Sequence, residues 1–262
     1  MRIFLAIVLA ALSFHARAAE LDCAGPEMVE DLRYSWRVRG GMRFLAGLVF
    51  PTSGVGNLRT TTATDKSIHS ELLITAPSGK SGGFYAYESQ MDAAGQKTLM
   101  TYHGYAWGEK SRHERTIFDY VKGLARINKQ TPEETENRVK KLPAKDQDVR
   151  DILTAIYYLR QNAAALRAPM TTSIYSDGKE YPVIFRPTGA RKAFVIEKKS
   201  VVATAFQIVD APGGKKWPGG VTVWLSNDEK RIPFRIEITQ SIASLQLDLQ
   251  SVDGCMTLLA SL

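Results

Sequence analysis

Three histidines lie beyond the first nineteen residues, His69, His103 and His113, and each falls in a stretch that reads as a β-strand. No two of them have metal-ligand spacing, and neither His-x-x-x-His nor His-Glu-x-x-His occurs, so no zinc-type motif is present. Gly79-Lys80-Ser81 has the ending of a phosphate-binding loop. Ile74 stands where the leading glycine is required, however, and Gly82-Gly83-Phe84-Tyr85 leads into a strand instead of a helix, so the segment reads as a turn. There is no Gly-x-Ser-x-Gly elbow and no Cys-x-x-Cys pair. The carboxylates of Glu133-Glu134 and Asp228-Glu229 sit in lysine-containing turns and read as solvated charge. The residue types predict no catalytic residues, no metal and no cofactor. A hydrolase would require one of the histidines to meet a Ser or a carboxylate in a cleft.

The aromatic residues carry a different chemistry. Tyr102, Tyr105, Trp107, Tyr157, Tyr158 and Trp224 would line or rim a cavity if a sheet wrapped a helix incompletely; otherwise they fill the core. The candidate ligand-binding residues are Tyr105, Trp107, Tyr157 and Trp224, with Ile152 and Ile156 from the apolar face of a helix. Arg231 and Arg235 join them. On period-two alternation they share a face, where they would hold a carboxylate from the helix start, Asp148 or Asp151, or an anionic ligand.

Those residues must be positioned by a β-rich chain of one domain, residues 19–262. Strand-like stretches recur about every ten residues from Leu32 to Asn128, with turns at Gly40-Gly41, Pro77-Ser78-Gly79 and Ala93-Ala94-Gly95-Gln96. Leu45 to Phe50 is one of these stretches. Thr131 to Asp146, charged and carrying Pro132 and Pro143, reads as a loop. Val149, Ile152, Leu153, Ile156 and Leu159 then recur at helical spacing, which predicts one amphipathic helix at about 147–163, capped by Asp146 or Asp148. Strands return after Pro169. Lys179 to Pro187 and Ala193 to Glu197 read as separate strands, Asp177-Gly178 as a hairpin turn, and Pro233 as a break at an edge or bulge. The predicted fold is mainly β: a strongly curved antiparallel sheet, a half-barrel like those of lipoprotein carriers, wrapped around one long amphipathic helix.

The start of the chain bears on location. Met1-Arg2, an apolar run from Ile3 to Phe14 and small residues at Ala16 and Ala18 have the three parts of a secretory signal, with cleavage expected after Ala18. That apolar run is shorter than the roughly 20 residues of a membrane-spanning helix, and nothing later resembles one. Export predicts a soluble periplasmic protein. Its two cysteines, Cys23 and Cys255, could then pair, or remain as two independent buried thiols. The formal charge is +7, or about +5 without Arg2 and Arg17, and the basic residues do not alternate with aromatics. Nucleic acid is therefore excluded as a partner, and a lipid, an amphiphile or an envelope protein is expected.

Two segments resemble signatures of DUF3108, an exported bacterial family of unknown function. One is Asp148 to Arg160, similar to the family's D-x-x-(S/T)-A-x-Y-x-(L/V)-R helix; the other is Val223 to Glu237, similar to its W-x-S-x-D-x-R-R-x-P hairpin with Lys230 in place of the first arginine. Ile242 to Leu247 resembles the family's closing strand, with Ala243 departing from the usual glycine. The resemblance runs from about Leu32 to Leu249 and implies export and a β-rich fold with a single helix. It implies no reaction and no catalytic residue.

Overall fold

A computed structural model describes residues 29–40, 51–76, 83–107, 109–142, 148–176, 178–217, 220–239 and 244–254. The signal-like segment, Cys23, Cys255, the Leu45–Phe50 stretch and the Gly79-Lys80-Ser81 turn lie outside the described residues. Among the described residues, fourteen strands form one antiparallel sheet. In chain order they are β1 (Val29–Arg39), β2 (Ser53–Thr62), β3 (Ile68–Thr75), β4 (Gly83–Met91), β5 (Thr98–Trp107), β6 (Lys110–Asp119), β7 (Leu124–Gln130) and β8 (Thr135–Lys141). After the helix α1 (Ile152–Asn162) come β9 (Met170–Ser176), β10 (Lys179–Ile196), β11 (Lys199–Asp210), β12 (Gly220–Ser226), β13 (Pro233–Thr239) and β14 (Ser244–Gly254).

The order is β8-β7-β6-β5-β4-β3-β2-β1-β14-β13-β12-β11-β10-β9, so each half is a meander and the two halves join where β1 pairs with β14. Period-two alternation is clear on the walls. In β3, residues from Ile68 to Thr75 alternate between buried and half-buried along the whole strand. The hydrogen-bonded order begins at β8 and ends at β9, and among the described residues no ladder joins those two edges. Side chains bridge them instead: Lys140 Nζ donates to the Gly178 carbonyl at 3.1 Å, and the Tyr175 ring meets Phe118 of β6 edge-on at 5.0 Å. Gly178, with φ of 69°, supplies the expected turn between β9 and β10.

Four expectations are corrected. Thr131 to Asp146 contains strand β8, whose Glu136, Arg138 and Lys140 alternate with more exposed neighbours. Lys179 to Glu197 is mostly one long strand, with a register shift between Pro187 and Arg191 accommodated by Gly189 at φ of 73°. The helix is shorter than expected, starting at Ile152, because residues 149–151 are spent on the sheet. The Val149 carbonyl accepts from Thr98 N at 2.8 Å and the Arg150 carbonyl from Tyr175 N at 2.7 Å. Asp151, and neither Asp146 nor Asp148, is the N-cap, accepting from Thr154 N at 2.8 Å. Pro233 sits at a register shift between β12 and β13, as a proline in an inner strand requires.

The helix is held at both ends. Thr60, Ser70, Ser89, Thr101 and Thr116 stand opposite one another across β2 to β6, a row of hydroxyls on the inner face. The Thr154 hydroxyl meets Ser89 and Thr98 there, each at 2.8 Å, and Asp151 N donates to Thr98 Oγ1 at 2.9 Å. Near the C-terminal end, Arg160 makes a two-point ion pair with Glu30 of β1, at 2.8 and 2.7 Å. Its remaining donors reach the carbonyls of Arg231 and Lys230 at 3.0 and 3.1 Å. Glu30 is 6% exposed and the Arg160 side chain 9%. Removing one partner of such a pair strands a buried charge, so Arg160→Ala is expected to cost about 3–5 kcal/mol in urea unfolding, whereas Glu30→Leu combined with Arg160→Met recovers most of that loss.

Candidate functional site

The helix fills one end of the space inside the sheet and leaves the other open. What remains is a cavity of about 560 Å³. One wall is Trp36 and Val38 of β1, Leu72 and Ile74 of β3, and Val221, Ile236, Ile238, Leu245 and Leu247 of β12 to β14. Ile152, Leu153 and Ile156 of α1 form its floor, and Ile174 and Tyr175 of β9 close the seam side. Pro51, Ala76, Gly83, Trp217 and Ser244, which flank strand connections at the end of the sheet away from the Arg160 anchor, also border it. The volume lies within the roughly 300–1,000 Å³ of small-molecule pockets, and apolar walls with a few polar groups are their usual composition.

The polar groups are gathered on one side. Cross-strand register places Leu72, Tyr87, His103 and Glu114 in one inward-facing row, next to the hydroxyl row. The Tyr87 and His103 rings stack at 4.5 Å. Glu114, 7% exposed, takes Arg112 Nη2 at 2.6 Å. Asp151 lies at the floor, where burial pushes its carboxyl above the ordinary carboxylate range, opposed by hydrogen bonds from the Thr154 amide and the Thr101, Ser89 and Thr154 hydroxyls. Trp36 is fixed by Nε1 donating to the Thr75 carbonyl at 2.8 Å. Gly54 makes this possible: a Cβ there would collide with that carbonyl and stand 2.6 Å from Trp36 Nε1.

Of the residues expected to bind a ligand, Ile152 and Ile156 line the cavity. Tyr105 stands on the inward face beside Tyr85, ring centroids 5.7 Å apart, and it is Tyr85 that borders the space. The Trp107 side chain lies outside the described residues. Tyr157 packs against the β4–β5 turn, where a Cβ on Gly95 would collide with its ring, and it does not line the cavity. Trp224 is also misplaced by the expectation: Val221, Val223 and Leu225 alternate inward, and Trp224 turns away to meet Phe194 at 5.8 Å.

The arginines differ as well. Arg231 precedes β13, has a φ of 49°, and gives its guanidinium to the Ser226 carbonyl at 3.2 Å. Arg235 pairs with Asp248 at 2.5 Å and with Glu237 at 3.5 Å, so neither arginine reaches Asp148 or Asp151. The helix contributes a cation instead, Arg160, whose ion-pair partner is Glu30 of β1 and which meets the hairpin through the Arg231 and Lys230 carbonyls. The three histidines do not converge: His69 lies 3.7 Å from Glu88, His113 takes the Tyr102 hydroxyl at 2.6 Å, and His103 is in the cavity wall. No group of metal-ligating side chains occurs among the described residues.

A curved antiparallel sheet around a helix-floored apolar cavity defines a barrel-like fold with an internal space. The chain belongs to the DUF3108 family of proteins of unknown function, whose family model matches residues 37–250. Its fold is similar to that of a β-barrel-like protein of the domain of unknown function DUF1849 from Brucella abortus, with a TM-score of 0.58 at 11% identity over 87% of this chain and 98% of that one. No curated protein matches the sequence. Among the described residues no helix is long and apolar enough to cross a membrane.

The cap makes a pH-dependent prediction. A carboxyl whose folded pKa is raised stabilises the fold below its unfolded value near 3.8 and withdraws that contribution as pH rises through the folded value. Asp151→Asn keeps the capping acceptor and removes the buried charge, so its unfolding free energy at neutral pH should equal or exceed that of the native chain. Asp151→Ala loses the cap and should cost about 1–2 kcal/mol. Urea unfolding from acid to neutral pH checks both.

Proposed function

We propose that this protein is a binding protein of the cell envelope that takes the apolar part of an amphiphile into the cavity between α1 and the sheet. The observation that carries the reading is the partly open apolar space of about 560 Å³, walled by both halves of the sheet and floored by Ile152 and Ile156. Burial of an apolar chain there would be driven by roughly 25 cal/mol for each Å² removed from water. The signal-like first eighteen residues support a periplasmic site of action after cleavage at Ala18, with Cys23 and Cys255 able to pair there.

An interaction module acting through a sheet edge has less support. Strand β8 is a free edge in the ladder order, but Glu136, Arg138, Lys140 and Lys141 give it the charge that discourages strand addition. A hydrolase is not favoured by the separated histidines.

Native mass spectrometry with lipid extraction, on protein isolated from its natural source, tests the proposal. The expected result is a co-purifying amphiphile that is lost in Ile238→Trp, which fills the cavity, and in Ile156→Lys, which charges its floor. Circular dichroism of both variants confirms folding. An unliganded mass for native protein, together with no uptake of added amphiphile, would contradict the proposal.

A further inference from the structure

Resting on that reading, the polar side of the cavity selects the ligand's head group. Tyr175 lines the cavity and is 7% exposed, yet its buried hydroxyl has no hydrogen-bond partner among the described residues. An unmade hydrogen bond at a buried hydroxyl costs about 1–3 kcal/mol, so the apo protein carries a cost that a ligand acceptor would relieve. Burial, and then the nearby Glu114, push the phenol up to about 12 against the opposing charge of Arg138, so it remains a proton donor at neutral pH.

The groups around it set the sign of charge the site accepts. The nearby Arg138 is engaged by Glu136 at 3.0 Å, so a carboxylate or phosphate would give up its hydration in a low-dielectric space without meeting a spare cation there, and it would face the two lining carboxylates, Glu114 and Asp151. Neither is a spare counter-ion for a cation. Glu114 already holds Arg112 at 2.6 Å, and Asp151 is engaged by the Thr154 amide and surrounding hydroxyls. Thr101 and Thr116 add hydroxyls on the same side.

We propose that the cavity is selective for an uncharged amphiphile, one whose hydroxyl or ester oxygen accepts a hydrogen bond from the Tyr175 hydroxyl, over fatty acids, anionic lipids and amines. Trp36 and Trp217 border the space and give a fluorescence signal. The full chain after the signal-like segment is titrated with monolauroylglycerol, laurate and dodecylamine, which share one apolar chain, at neutral pH. The expected result is that monolauroylglycerol binds at least about tenfold more tightly than either charged probe. Tyr175→Phe should weaken monolauroylglycerol binding about five- to tenfold, leave the weaker binding of the charged probes unchanged, and leave the apo protein's melting temperature equal or higher.

Equal or tighter binding of laurate or dodecylamine would overturn the head-group selectivity while leaving the cavity reading intact. So would an undiminished affinity in Tyr175→Phe. Binding of none of the three would overturn both.

Discussion

A wall of fourteen strands encloses more space than its own side chains fill. In closed barrels about eight strands is the size at which side chains alone, or one small ligand, occupy the interior. Among the described residues a single helix of 11 residues is the only other element inside, and at about 1.5 Å per residue it spans a small part of that space. Where the helix is pinned therefore decides where the remaining space lies. The Glu30–Arg160 pair pins its C-terminal end to β1 and the β12–β13 turn, and Ser89 of the hydroxyl row together with Thr98 seats its N-terminal end. Both anchors lie on the same side of the cavity, so the apolar residues of the opposite end face one another across a gap.

The same economy explains the seam. Strands β8 and β9 are the free ends of the ladder, and unpaired edges invite association with other chains. The chain manages β9 by laying residues 149–151 alongside it, so that the Tyr175 amide is satisfied by the Arg150 carbonyl. It manages β8 with charge, and with Lys140 reaching across to Gly178. Tyr175 is thereby held in the seam with its ring against Phe118 and its hydroxyl in a buried, polar part of the cavity.

Much of the wall was legible in the sequence, because a sheet with one apolar face writes period-two alternation into β3, β12 and β13. What escaped follows from competing physics. Strand β8 has polar residues on both faces and so lacks the apolar alternation that marks a strand. Val149 fell in helical spacing with Ile152, yet its backbone is committed to Thr98. The site was half legible. Ile152 and Ile156 followed from the helix face, but Trp36 and Trp224 are equally aromatic and equally strand-borne, and only the inward or outward phase of each strand separates them. Glu114, His103 and Tyr175 come together through pairings across β5, β6 and the seam, which spacing along the chain does not encode.

The proposed function requires that the space between helix and sheet accept an apolar chain. Isoleucine-methyl NMR during titration with monolauroylglycerol reads that space directly, because isoleucines line it from β3, α1, β9 and β13 while others lie elsewhere in the fold. Shifts of Ile74, Ile152, Ile156, Ile174, Ile236 and Ile238, with Ile68, Ile127 and Ile208 unmoved, are what the account predicts. Unmoved lining methyls beside a shifting, outward-facing Ile117 would place the amphiphile on the surface and contradict it.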